Sequence, residues 1–359
     1  MTPAPGSLAL ICPAKLNLSL AVGPPQPTPR GTLHPIGSWM ATLAFHDQLI
    51  LSHPEPPPPG RVPASPQPGH AAPQRGRLQL QRQLADDAPQ TFSIDWPLDQ
   101  DLAVQAHRLI EQTVGRPLPT HARLIKRIPP GAGLGGGSAN AAAMIAGLNR
   151  LHQLDLSPPQ QQDLARRLGS DVVFALATLS HPAGVADQFD AEDAGSDRSP
   201  PTTPTSITSA WVEGFGDRLR PLTPSPRRHL ALILPPFTCP TAAVYHAFDQ
   251  LRPDQATADA EDRSDLSFDQ KLADLRDAAL RGDLRDSAFP NDLEPAAVAV
   301  QPRLASLLHQ LRVDLNLPAQ LTGSGAACFV LCRDAQHAGE TARRVGKHTP
   351  AAALATQLR

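Results

Sequence analysis

Aromatic residues are scarce in this 359-residue chain: Phe, Trp and Tyr together make 4%, and Tyr245 is the one tyrosine. Hydrophobic residues at 41% still suffice for a core, which must be aliphatic and alanine-rich. An excess of either charge is also lacking, with 32 basic against 34 acidic residues and a net charge of -2. A nucleic-acid binder normally carries a basic excess, so that class of partner is disfavoured. No apolar run reaches the ~18 residues of a membrane span, so no membrane partner is expected. The first residues, MTPAPGSLALICPAK, carry no charged region ahead of their short apolar run, so no secretory signal is expected. Cysteines number four, Cys12, Cys239, Cys328 and Cys332, with no CxxC pair and no histidines at zinc spacing. Buried reduced thiols in a cytoplasmic setting are the expectation. Lysine is as rare: Lys15, Lys126, Lys271 and Lys347 are the four among 32 basic residues, so a lysine inside an apolar strand is not casual.

Proline and glycine are abundant instead, at 41 and 24 residues. The length suits two domains at roughly 100–200 residues each. Two stretches bury too little to fold and read as insertions, the Pro-rich 53–76 and the polar 187–209. The second marks the expected boundary between an N-terminal domain, 1–186, and a C-terminal one, 210–359. Apolar and alternating runs predict strands at 7–22, 36–51, 77–84, 91–96 and 121–128, and over SAWVEGFGDRLRPL and RHLALILPPF. Helical spacing predicts a helix over 99–114 and an alanine-rich one from about Ser138 to Leu151. Another starts at Ser157-Pro158 and stops at Gly169. Helices are also expected over PTAAVYHAFDQL, KLADLRDAALRG, DLEPAAVAVQPRLASLLHQL and HAGETARRVGK, with QLTGSGAACFVLCR as a turn inside a strand pair and 253–266 as an acidic loop. The class is mixed α/β.

Residues 131–137, GAGLGGG, lie between a strand and a helix. Glycine lets successive backbone N–H groups converge and lets a phosphate approach the main chain. The helix start adds unpaired N–H groups and the positive end of its dipole. This is a phosphate cradle rather than a linker. The lysine-terminated P-loop is excluded, because no Gly-Lys pair follows. The dinucleotide fingerprint is formally met by Gly131, Gly133 and Gly136, but the acid at the right distance, Asp155, has no following strand to carry it. A third loop fits in order: Pro130, Gly133, Leu134, Gly135, Gly136, Gly137 and Ser138.

That loop resembles the one of the GHMP kinases (galacto-, homoserine, mevalonate and phosphomevalonate kinases). Four further segments resemble, in chain order, motifs of the branch that phosphorylates a cytidine diphosphate sugar-alcohol: CPAKLNLSLAV, LGSDVVFAL, PNDLE at 290–294 and LTGSGAACFV. The resemblance implies a two-domain α/β (α+β) fold, with an N-terminal ribosomal-protein-S5-like ATP-binding domain and a C-terminal ferredoxin-like α/β domain. It also implies ATP with Mg²⁺, and transfer of phosphate to a 2-hydroxyl in the non-mevalonate isoprenoid route.

The same resemblance assigns candidate residues. ATP contacts fall on Pro129, Pro130, Gly131, Ala132, Gly133, Leu134, Gly135, Gly136, Gly137, Ser138 and Ala139. Asp171 stands where the family has its catalytic aspartate; on position alone it reads as a helix-terminal residue. Lys15, between Ala14 and Leu16 in an apolar strand, is costly unless its charge is used, and is the implied partner of Asp171. Asn17, two residues on and on the same strand face, is placed to bond the acceptor. Ser138 serves either the phosphates and Mg²⁺ or the helix as its N-cap. Gly323, Ser324 and Gly325 form the family's third glycine turn, near substrate; by residue type alone they are equally a hairpin turn. The family's Asp-Gly-Tyr-His, whose ring stacks on cytosine, reads Gly31-Thr32-Leu33-His34 here. His34 keeps the edge-reading histidine, and Tyr245 is the second stacking ring. The departure at Leu33 leaves a mevalonate- or homoserine-like acceptor as an alternative, and a dinucleotide-binding oxidoreductase or a binding-only protein as rivals of another class. No metal-ligand set is read: the 13 histidines form no H-E-x-x-H, and His46-Asp47 lacks a third ligand.

Overall fold

The computed structural model describes residues 6–28, 31–54, 78–89, 92–179, 207–222, 228–251, 267–282 and 290–359. The two expected insertions lie outside these residues except at 53–54 and 207–209, and the acidic stretch 253–266 lies outside them entirely. The scaffold of the site is a pair of long strands, β1 (Ser7–Val22) and β4 (Ile36–Ser52), joined through the small hairpin of β2 (Gln26–Thr28) and β3 (Gly31–Leu33). β1 and β4 pair antiparallel from Ser7↔Ser52 to Val22↔Ile36, with register irregularities at Pro13/Lys15 and Asn17/Ser19. Bulges of this kind re-aim side chains. Here they bracket the polar pair Lys15 and Asn17, while Leu8, Leu10 and Cys12 join one core and Ala14, Leu16 and Leu18 another.

β5 (Gln79–Leu84) runs parallel to β6 (His121–Lys126), and the crossover between them contains α1 (Leu102–Val114). Asp101 caps α1, its carboxylate accepting the Ala103 N–H at 3.0 Å. β6 pairs with the C-terminal half of β4, and β7 (Ser209–Gly214) with the N-terminal half. β8 (Arg218–Pro221) completes the sheet as the order β5-β6-β4-β7-β8, with β1 also on β4. The helices α2 (Gly136–Leu151), α3 (Pro158–Leu168) and α4 (Ser170–Leu179) join α1 in a layer on this sheet, sealed by a core rich in alanine and leucine. The second sheet is antiparallel, in the order β10 (Gln320–Leu321), β11 (Cys328–Cys332), β9 (His229–Leu234), β12 (Ala352–Gln357). With it go α5 (Thr241–Leu251), α7 (Glu294–Val300), α8 (Pro302–His309) and α9 (Ala335–His348), whereas α6 (Phe268–Arg281) packs against β1, β4 and β7 of the first sheet. Trp39, Trp211, Leu16, Leu18, Leu232 and Phe329 share one core, which binds the two sheets together.

Three sequence expectations need correction, and one strand was not expected. Residues 92–96 are not a strand; Trp96 turns inward to donate its ring N–H to Asp101 at 3.1 Å, under the Arg82 guanidinium. The segment Ala352–Gln357, with no strand signal of its own, becomes β12 by pairing with β9. α2 starts at Gly136, two residues earlier than expected, with Gly135 as its cap. The hairpin Ser209–Pro221, expected mostly in a second domain from 210, adds its strands to the first sheet. All four cysteines are buried and unpaired, with burial pushing the Cys239 thiol up to about 11 and Cys328 to about 12.

At the far end of α2, the His152 Nε2 lies 2.9 Å from the Thr120 hydroxyl, and the ring meets His53 edge to face at 4.9 Å. Burial, then the neighbouring His53, Arg116 and His107, lowers the His152 pKa from 6.5 to about 4. The folded protein therefore holds this ring neutral where the unfolded chain protonates it. Its contribution is fully present above pH 6.5 and is lost as pH falls from 6.5 towards 4. We expect melting temperature to drop over that interval, and to drop less in His152→Gln; equal slopes for both proteins contradict this.

Candidate active site

The glycine loop is held from three sides by main-chain bonds. Lys15 donates its N–H to the Leu134 carbonyl at 3.0 Å, Ala327 to Ala132 at 3.1 Å and Cys239 to Gly131 at 3.4 Å. The loop thus touches β1, the turn before β11 and the segment before α5. At Gly133, φ is +75°, and a methyl there would lie 2.5 Å from the Thr322 carbonyl oxygen. At Gly135, a methyl would lie 2.9 Å from Lys15 Cγ. Bare backbone is what lets the loop, the third glycine turn and β1 close on one another. Because Gly135 caps α2 without a side chain, no side-chain cap covers the N–H groups of the first turn, Gly136, Gly137 and Ser138. Ser138 is therefore not the N-cap, and its hydroxyl stands within the first turn.

Lys15 Nζ lies 3.4 Å from Asp171 Oδ2, although 156 positions separate them in the sequence. The ammonium also donates to Asn17 Oδ1. Asn17 in turn donates from Nδ2 to the Ser38 hydroxyl at 2.7 Å, and from its N–H to the Thr322 hydroxyl at 2.9 Å. Lys15 is buried while the Asp171 carboxylate keeps 32% exposure, so the carboxylate faces the open side. Asp171 sits in the first turn of α4, a favourable position for negative charge. The β7–β8 turn packs onto the preceding Ser170: a methyl at Gly216 would fall 2.2 Å from Ser170 Cβ.

The third turn, Gly323–Gly325, abuts the same pair. A methyl on Gly323 would stand 3.1 Å from Asn17 Oδ1 and 3.3 Å from Lys15 Nζ. Ser324 is buried, with its hydroxyl 3.0 Å from that of Thr241 at the start of α5. One turn on, Tyr245 stacks at 5.2 Å and 37° against His34. The His34 ring donates from Nδ1 to the Gly23 carbonyl at 2.9 Å and turns Nε2 towards Asp249 at 3.3 Å. Burial first, and the Asp171 carboxylate second, push the Tyr245 phenol well above its ordinary pKa. Beside the loop, a cavity of about 240 Å³ is lined by Phe92, Asp95, Pro129, Pro130 and Phe237 among others.

Sequence reasoning missed another ion pair, this one buried on both sides. Asp47 and Lys126, fully or almost fully buried, bond each other. Asp47 Oδ1 also accepts the N–H groups of Arg127 at 2.7 Å and Ile128 at 2.9 Å, the residues that lead β6 into the loop. The scarcity that singles out Lys15 applies equally to Lys126, which stands on the buried side of the alternating strand HARLIK. Asp47→Ala leaves a buried ammonium and two amides without their partner, and should cost about 3–5 kcal/mol. Urea denaturation measures this; a loss under 1 kcal/mol contradicts it.

Two family descriptions match the chain: GHMP kinases N terminal domain over residues 101–179, and GHMP kinases C terminal over residues 270–351. The chain belongs to the GHMP kinase family and is an ATP-dependent small-molecule kinase. Within that family its curated relatives include 4-diphosphocytidyl-2-C-methyl-D-erythritol kinases. The one of Pelotomaculum thermopropionicum is 33% identical over 69% of this chain and 72% of its own length. That of Thermobifida fusca is 29% identical over 94% of this chain and 91% of its own. A crystal structure of 4-(cytidine 5'-diphospho)-2C-methyl-D-erythritol kinase superposes with a TM-score of 0.61 at 25% identity, covering 98% of each chain. Among the described residues, no helix is long and apolar enough to cross a membrane.

Proposed function

We propose that this chain transfers the γ-phosphoryl group of ATP to the 2-hydroxyl of 4-diphosphocytidyl-2-C-methyl-D-erythritol, in the cytoplasm. The observation that carries the reading is the 3.4 Å Lys15–Asp171 pair held beside the glycine loop, in a chain whose relatives bear that enzyme's name. The amides of residues 131–138 cradle the polyphosphate, and the cavity at Phe92 and Phe237 suits the adenine end. Asp171 takes the proton of the acceptor hydroxyl as its oxygen attacks the γ-phosphorus and ADP leaves. Lys15 balances the carboxylate and draws the phosphoryl oxygens towards it, and Asn17 orients the hydroxyl. Mg²⁺ calls for hard oxygen ligands, which the Ser138 hydroxyl fits, since it does not cap α2. Bound there with ATP, the ion would neutralise phosphate charge. His34 and Tyr245 form the wall for the cytosine, with Leu33 in place of a second ring.

The test measures ADP release with the cytidylyl acceptor, mevalonate and homoserine in parallel. Turnover with the first alone is expected. Preference for either of the others overturns the substrate assignment while leaving the kinase chemistry intact.

A further inference from the structure

Asn291 belongs to PNDLE, the matched segment to which the chemistry above gives no task. Its backbone lies along β1: Leu20 donates its N–H to the Pro290 carbonyl at 2.9 Å and accepts that of Asp292 at 3.0 Å. Asp292 ties the same place down, accepting the Val22 N–H at 3.0 Å and the Lys271 ammonium at 2.5 Å. Asn291 is thereby fixed to the strand that carries Lys15 and Asn17. Its side chain reaches the third glycine turn. Nδ2 donates to the carbonyls of Leu321 at 3.0 Å and Gly323 at 2.8 Å, while Oδ1 accepts the Leu293 N–H at 3.0 Å. The two carbonyls straddle Thr322, whose hydroxyl accepts the Asn17 N–H and whose own carbonyl accepts the Gly325 N–H at 3.0 Å. Gly323 packs against Lys15 Nζ and Asn17 Oδ1, as described above.

We propose that Asn291 is a positioning residue for phosphoryl transfer: its two N–H bonds set the Gly323–Gly325 turn at a fixed spacing from Lys15 and Asn17. The catalytic consequence rests on the function proposed above. A short carboxamide supplies two donors and an acceptor in one plane, as this junction uses them. Backbone anchored by such a junction shifts when the donors are removed, and small misplacements at a phosphoryl-transfer site lower turnover strongly.

The test uses the full-length enzyme and two variants. Asn291→Asp keeps the size and the acceptor for Leu293, but sets a carboxylate oxygen against two carbonyls. Asn291→Ala removes the donors without adding charge, and decides the matter if the first variant does not fold. Both should lower kcat about 10–100-fold while KM for ATP stays within about threefold. Deuterium uptake without substrates should rise over 320–328 and stay unchanged over 36–52. A kcat within twofold of wild type, unchanged uptake over 320–328, or uptake raised throughout the protein overturns the proposal. If the wild-type enzyme does not phosphorylate the cytidylyl acceptor, the proposed function fails; the uptake measurement, which needs no substrate, still decides whether Asn291 holds the turn.

Discussion

Asp171→Asn is expected to lower kcat by a factor on the order of 10²–10⁴, the usual contribution of a positioned general base, while ATP affinity changes little. The amide keeps the shape of the carboxylate but cannot take the proton of the acceptor hydroxyl. Lys15 is not orphaned by the change, because its ammonium still donates to Asn17 Oδ1. Melting temperature should therefore fall only slightly, and the loss will be one of chemistry rather than of folded protein. Calorimetric titration with ATP and a coupled assay of ADP release separate the two. Near-normal turnover in this variant, with ATP binding intact, rules Asp171 out as the base.

Gly133→Ala should act on the other half of the site. A φ of +75° costs an alanine about 1–3 kcal/mol, and the added methyl would stand 2.5 Å from a backbone carbonyl that cannot rotate away. The loop must then separate from the Thr322–Gly325 turn. A roughly 10- to 100-fold rise in KM for ATP is expected from the displaced amides, with a lower melting temperature. Gly346→Ala is the control: it lies within α9, has open space around it, and should leave KM unchanged while stabilising slightly. An unchanged KM in Gly133→Ala contradicts the close packing of loop and turn.

Much of this arrangement was legible because the proposed chemistry rests on residues that break local rules. A lysine in an apolar strand and five glycines in seven positions stand out against their surroundings, and the fold brings them together at the proposed site. The long alternating or apolar runs gave β1, β4 and β6, and the caps at Ser157 and Gly169 gave the bounds of α3. The failures have a common cause in long-range pairing. Ala352–Gln357 holds small residues without a strand preference and is extended because β9 offers it partners. Residues 92–96 alternate like a strand but are drawn into a loop by the bond from Trp96 to Asp101. The Ser209–Pro221 hairpin shows nothing in its own sequence of the β4 edge it joins. Asp47 could have been weighed with Lys126 as two charges at inward positions of neighbouring strands, but that they meet is a property of the β4–β6 register, Gln48↔Ile125 onward. The bonds of Asn291 depend likewise on three segments that only the fold brings together.

The most direct measurement is a crystal structure with a non-hydrolysable ATP analogue and the cytidylyl acceptor bound together. The polyphosphate should rest on the amides of residues 131–138, with the acceptor's 2-hydroxyl within hydrogen-bond reach of the Asp171 carboxylate and near Lys15 Nζ. An acceptor whose hydroxyl sits away from both side chains, or phosphates seated off that loop, would contradict the phosphoryl-transfer site derived from these residues.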